Sequence, residues 1–497
     1  MPGRAAALAL VLLLLGCVTT PVDRRSWLQV ETPHFEVLSA LSLGATRQLA
    51  LDLERFRAAV GWAGGATLPA PAAPVRVVAF DGRTLVRPFD LRGQPSYFLP
   101  EGDGGLVVLR TGGGFRGDAS LELRHQLAHW IVRGAGGPSP PLWIDEGFAQ
   151  VLSTTEVGDR GVEVGVLRED HVRRVRSETW LPVDRLLALS PEDDWSDRSR
   201  FDAQTWLLAH YLLLGQPDRV VVNRQLDRYL VLVNQAVSPG TAALRAFGTD
   251  LDRALLRYSR RESFDALVVA LPVDTPPEPR PLPRAEALTH LGVLSLAIDR
   301  DHQAVRYLEE ALAEDPGQAR AHAALGEAWI RLGRGDESRE QLKLALAAGA
   351  SDPLVQRQAG DYYLAGARRA EEPEPRRELL RLARWHYRKS VALRPSATVY
   401  ARVARIGLLD GEEPEQALSA ARWAHKLQPA SLEFALLQAR LELAAGNRGY
   451  ARVLARKVWA QAHPAVQREE ARALLWAASD RPGRSGRREA ETLHAQP

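Results

Sequence analysis

His125 and His129 stand four residues apart in the run Leu121-Glu122-Leu123-Arg124-His125-Gln126-Leu127-Ala128-His129-Trp130. On a helix, positions i and i+4 project from nearly the same angle, so two imidazoles there can share one metal ion. The run reads as a helix. Asp118 is placed to cap it, and Leu123, Leu127 and Trp130 fall on the face away from the histidines, which anchors that side in a core. Pro140-Pro141 should open a second helix that brings Glu146 in as a third ligand. Three such ligands leave one tetrahedral position for water, as catalytic zinc sites do.

Two histidines at this spacing are a weak signal alone, because most such pairs lie on surfaces or in satisfied cores. The second run, Trp143-Ile144-Asp145-Glu146-Gly147-Phe148-Ala149, makes it specific. Together the two resemble the gluzincin metallopeptidases, whose pattern is His-Glu-x-x-His followed by Trp-x-x-Glu-Gly-x-Ala, and among these the bacterial peptidase-MA-like domains. The resemblance implies an α+β metallopeptidase domain with zinc held by His125, His129 and Glu146.

Gln126 departs from that pattern. The family has Glu there, the general base that takes a proton from the attacking water, and an amide cannot accept it at neutral pH. Positioned acid–base catalysis contributes roughly 10²–10⁴ in rate, so the domain is expected to be catalytically impaired, a pseudoenzyme or a weak enzyme. Glu122, one turn earlier, is the nearby carboxylate that could substitute. The apolar run Phe201 to Leu212 resembles the helix packed behind the site in such domains. Asp202 stands where relatives often carry a Tyr that donates to the developing oxyanion, and Trp206, His210 and Tyr211 read as packing residues.

The elements that must position these residues follow from pattern. Trp27 to Leu38 alternates β-formers, Leu43 to Val60 is amphipathic, and Val75 to Phe80 and Gly105 to Arg110 read as further strands ahead of the histidine helix. The peptidase-like domain is placed at 30–271, followed by a Pro-rich linker at 272–284 that resists helix and sheet interiors.

Beyond it the chain repeats. Leu291-Gly292, Leu325-Gly326 and Ala359-Gly360 recur at a step of 34 residues, with Ala304, Leu308 and Pro316 in register. This is the tetratricopeptide pattern of paired helices stacked into a superhelix, placed at 285–478 with an insertion near Arg368 to Arg377. Trp385, Trp423 and Trp459 are expected in its core rather than as groove anchors. Residues 479–497 read as a flexible tail.

Met1 to Arg4, an uncharged run from Ala5 to Leu15, and Leu14-Leu15-Gly16-Cys17 resemble a bacterial lipoprotein signal. The resemblance implies removal of residues 1–16, lipidation of Cys17, a tether over 17–29, and, with Val18 in place of Asp, an outer-membrane anchor facing the periplasm. Cys17 is the one cysteine among 497 residues, so packing and not disulfides must stabilise the chain. A formal charge of +3 with interspersed signs gives no basic stripe for nucleic acid. The expected role is an envelope protein that binds proteins or peptides through its repeats. The alternatives are an active zinc peptidase and a metal-free structural adaptor.

Overall fold

The computed structural model describes residues 22–479, apart from 66–67, 69–72, 83–85, 92–95, 102–103, 112–119, 135–139, 159–160, 178, 190–197, 236, 249, 272, 430 and 462–464. Cys17, the segment 1–16, the Asp118 cap and the tail beyond 479 lie outside the described residues.

Strands β1 (Trp27–Glu31) and β2 (Phe35–Ser39) lead into helix α1 (Leu43–Gly64). Strands β3 (Val75–Asp81), β4 (Tyr97–Glu101) and β5 (Gly104–Thr111) precede helices α2 (Leu121–Gly134) and α3 (Leu142–Ser153). Short strands β6 (Glu156–Gly158) and β7 (Gly161–Val164) are followed by α4 (Glu169–Ser177), α5 (Val183–Ala188), α6 (Arg198–Leu214), α7 (Arg219–Asn234), α8 (Pro239–Phe247) and α9 (Leu251–Ser259). Strand β8 (Leu267–Val269) closes a small sheet in the order β6-β7-β8, and β9 (Arg280–Leu282) joins the main one.

The main sheet has six strands in the order β4-β5-β3-β2-β1-β9. β2, β3 and β5 run parallel, while β4 and β1 flank them antiparallel and β9 lies antiparallel beyond β1. Side chains alternate along a strand, so Val75, Val77 and Ala79 face α1, α2 and α3, while Val78 and Phe80 face the other way. Burial on both faces explains the unbroken apolar runs of β3 and β5.

What covers the second face is the repeat array. Leu38, Val78, Phe80, Leu106 and Val108 share one buried cluster with Leu288, Leu291, Tyr307 and Leu308. This corrects the expectation of a spacer at 272–284: Arg280–Leu282 pair with Trp27–Gln29 as an edge strand. Pro281 is tolerated because an outer strand need not donate on its solvent side. The expected tether over 17–29 is corrected over its described part. Val22 and Trp27 are buried in that same cluster, and Trp27 Nε1 donates to the Val22 carbonyl at 3.2 Å.

The array continues as antiparallel pairs: α10 (Arg284–Ala297) with α11 (Asp301–Glu314), α12 (Ala319–Arg331) with α13 (Gly335–Ala348), and α14 (Pro353–Arg369) with α15 (Pro373–Leu393). Then come α16 (Ala397–Asp410) with α17 (Pro414–Leu427), α18 (Leu432–Ala444) with α19 (Arg448–Gln461), and a final α20 (Ala465–Ala477). The periodic glycines sit where paired helices cross. A Cβ on Gly292 would lie 2.5 Å from Leu308, and one on Gly360 would lie 2.5 Å from Tyr387. The residues inserted near Arg368 to Arg377 lengthen α14 and α15 to 17 and 21 residues rather than forming a loop. Among the described residues, no helix is long and apolar enough to cross a membrane.

Candidate metal centre

Helix α2 carries His125 and His129 on one face, and its opposite face drives Leu123 and Leu127 into the core without exposure. Helix α3 begins directly after Pro141, and all its residues are buried. It crosses α6 closely at Gly147, where a Cβ would lie 2.5 Å from the Thr205 carbonyl oxygen. That contact fixes the depth of α3 and hence the position of Glu146 beside the histidines.

One ligand atom from each of His125, His129 and Glu146 lies within 4.8 Å of the others. The two Nε2 atoms are 3.0 Å apart, and Glu146 Oε2 is 3.4 Å from His125 Nε2 and 3.7 Å from His129 Nε2. An ion bound tetrahedrally at about 2.0–2.1 Å holds its ligand atoms about 3.3 Å apart. The measured separations bracket that value, so the three residues fit a small divalent cation. Glu146 Oε2 is buried without a hydrogen bond of good geometry, which leaves its lone pairs directed into the cluster.

Two further residues shape the site. Asp145 Oδ1 lies 2.9 Å from His129 Nδ1, the nitrogen turned away from the cluster. The approach is that of a charged pair and lies off the line of a hydrogen bond. Arg198, near the start of α6, reaches Glu146 Oε1 at 3.3 Å and Asp202 Oδ2 at 3.8 Å. Burial pushes the His129 pKa down, but contacts with Asp145 and Glu146 outweigh it and hold the ring at about 9. Burial likewise opposes ionisation of Glu146, yet His125 and His129 hold it well below the usual carboxylate range. The histidines and the two carboxylates thus stabilise one another's charges. Asp202 is raised to about 6, chiefly by burial, with Arg198 opposing and Glu146 adding to the rise.

Gln126 is anchored at both ends. Its Oε1 accepts the backbone N–H of Phe98 on β4 at 3.1 Å, and its Nε2 donates to Glu122 Oε1 at 2.8 Å. Trp206 and His210 pack in the core behind the site. His210 is fully buried between the Tyr258 hydroxyl at 2.9 Å and the Gly165 carbonyl at 3.2 Å.

Sequence pattern points to the three clustered residues but not to Asp145 or Arg198. Asp145 is legible in hindsight as the neighbour of Glu146 in the first turn of α3, whereas Arg198 carries no local signal. In the array, the expectation of core tryptophans is corrected. Trp385, Trp423 and Trp459 are 52%, 43% and 48% exposed, because they sit on the outer faces of second helices. Trp385 and Trp423 lie beneath Lys389 and Lys426, at 5.0 and 4.4 Å from the ring centres.

Residues 302–358 match the tetratricopeptide repeat family. The C-terminal part of the chain is a tetratricopeptide array. Among solved structures, the chain is similar to a thermophilic TPR protein of Thermus thermophilus at 23% identity, covering 39% of this chain and 99% of that one, with a TM-score of 0.32. It is also similar to the pilF protein of Pseudomonas aeruginosa at 21% identity, covering 42% and 97%, with a TM-score of 0.31. The yeast Tom70 structure matches at 15% identity over 61% of this chain and 64% of that one, with a TM-score of 0.32. No curated protein sequence matches the chain significantly.

Proposed function

We propose that this chain is a lipid-anchored envelope protein in which a zinc-holding, gluzincin-like domain of weak or absent peptidase activity is joined to a repeat array that binds protein or peptide partners. The carrying observation is the convergence of His125, His129 and Glu146 at tetrahedral spacing, with Asp145 behind His129. A bound zinc ion would supply Lewis acidity toward a carbonyl oxygen and lower the pKa of a water. The chain's own residues supply the orientation: Asp145 holds the His129 ring, and Arg198 holds Glu146. Gln126 has no lone pair basic enough to take a proton at neutral pH, and both ends of its amide are engaged in hydrogen bonds. The anchor part of the proposal rests on Cys17 and its preceding apolar run.

Elemental analysis of protein purified without chelator tests the metal. Stoichiometric zinc in the parent and its loss in His129→Ala is the expected result. A zinc-free parent after incubation with zinc would favour the metal-free adaptor. One observation speaks for that second reading: the two Nε2 atoms are at hydrogen-bond distance and Arg198 already pairs with Glu146, so the cluster can satisfy itself. Retention of Cys17→Ser in washed membranes at the parent's level would remove the anchor.

A further inference from the structure

We infer that the outer face of the third to fifth repeat units docks on the headgroup layer of an anionic lipid bilayer. Such docking needs no lipid attached to the chain and so goes beyond the proposed acyl anchor. Along the stack α10 packs on α12, α12 on α14, α16 on α18 and α18 on α20, so the first helices of the units line the inner side. The second helices α15, α17 and α19 form the outer side. Each buries one face against its own unit, at Ala383, Ala421 and Ala455 respectively, and turns the other to solvent.

Each of the three presents one exposed tryptophan with a base one turn away: Trp385 with Lys389, Trp423 with Lys426, and Trp459 with Arg456. Residues three or four apart share a helix face, so indole and cation project together.

Charge on these helices is one-sided. Residues 379–393, 416–427 and 448–461 hold four, two and four Lys or Arg and no Asp or Glu. Arg381, Arg384, Arg388 and Arg422 are met by Glu378, Asp410, Glu413 and Glu442. Lys389, Lys426, Arg452 and Arg456 form no salt bridge among the described residues. On the first helices α14, α16 and α18, by contrast, Asp361, Asp410, Glu433 and Glu442 are mixed among the arginines.

An anionic leaflet attracts such bases, each contributing about fivefold to binding. Tryptophan favours the headgroup level, where its ring meets acyl carbon and its N–H meets polar oxygens. Exposed Tyr450 and Val453 on α19 add apolar surface that a soluble polyanion would leave unused. The contact is peripheral, since none of these helices is long and apolar enough to cross a membrane.

Co-sedimentation with vesicles tests the docking on the full chain carrying Cys17→Ser, which has no thiol to acylate. Vesicles of equal parts phosphatidylglycerol and phosphatidylcholine should bind it about tenfold or more tightly than phosphatidylcholine alone, with affinity falling as salt rises. Lys389→Glu, Lys426→Glu and Arg456→Glu combined, at positions without ion pairs, should weaken that binding about tenfold or more. Trp385→Ala, Trp423→Ala and Trp459→Ala combined should weaken it about tenfold, with helical content by circular dichroism unchanged in both variants. Equal binding to the two vesicle types, or either folded variant binding like its parent, would overturn the inference. So would a parent that ignores vesicles and instead sediments as a dimer that the tryptophan variant converts to monomer. High salt releases the docked form but not an acylated chain, so failure of this attachment is distinguishable from failure of the anchor.

Discussion

The side-chain oxygen of Gln126 accepts the backbone N–H of Phe98 at 3.1 Å, tying helix α2 to the edge strand β4. The amide nitrogen of the same residue donates to Glu122 at 2.8 Å. The glutamine is thus integrated into the packing of the candidate site, and its two polar atoms satisfy one donor and one acceptor that a carboxylate could not serve together.

Replacing Gln126 with Glu would set two carboxylates at hydrogen-bond distance, and such a pair shares a proton, which raises the pKa of one member. Gln126→Glu is expected to raise zinc-dependent peptide hydrolysis mainly on the alkaline side. Adding Glu122→Gln should bring the gain to neutral pH, approaching the roughly 10²–10⁴ of a positioned base. The check is chelator-sensitive turnover against pH at equal zinc content. A parent as active as either variant would show that the missing base is not the defect.

Asp145→Asn should weaken zinc binding about tenfold while leaving the fold intact, because it removes the charge behind His129 but keeps the shape. Competition against a chromophoric chelator measures this directly, and unchanged affinity would mean that the pair is incidental.

Gly147→Ala should destabilise the chain by about 1–3 kcal/mol, since its Cβ would meet the Thr205 carbonyl and force α3 away from α6. Zinc affinity should fall as well, because Glu146 moves with α3. Thermal unfolding together with metal titration would reveal both, and a variant as stable as the parent would place the helices farther apart than described.

Leu288→Ala should cost about 2–5 kcal/mol, as for other buried leucines. Because Leu288 packs against the sheet, hydrogen exchange should rise in β3 and β5 as well as in α10. Faster exchange confined to the repeats would instead favour two independent units.

His210 has a folded pKa lowered to about 4 by burial, against 6.5 in an unfolded chain. Its contribution to stability is fully present above pH 6.5 and is lost as the pH falls toward 4, at up to about 1.4 kcal/mol per pH unit. His210→Gln should therefore flatten the dependence of the urea midpoint on pH over that window. An unchanged slope would mean that other groups govern acid sensitivity.

Local pattern carries as far as local geometry does. The spacing of His125 and His129 determines a shared helix face, the run from Trp143 to Ala149 determines a buried helix bearing Glu146, and the 34-residue step determines a stack of helix pairs. Each depends on a helical period that a sequence displays directly. The Pro-rich stretch shows where such reasoning stops: proline content argues against helix and sheet interiors, but it is silent about an outer strand, and β9 forms only because Trp27–Gln29 lies beside it.

What the sequence by itself determined, then, is the helices that carry His125, His129 and Glu146, the strands ahead of them, and the repeat. Tertiary structure alone decided that Arg198 reaches Glu146 across 52 residues of chain, that Gln126 is held by Phe98, that three tryptophans of the array face outward, and that the sheet and the first repeats share one core. The physical reason is that an apolar β-strand reads the same whether a helix from its own domain or from a neighbouring array covers it. The covering partner is chosen by how separated surfaces bury each other, and that choice is not written in any local window of residues.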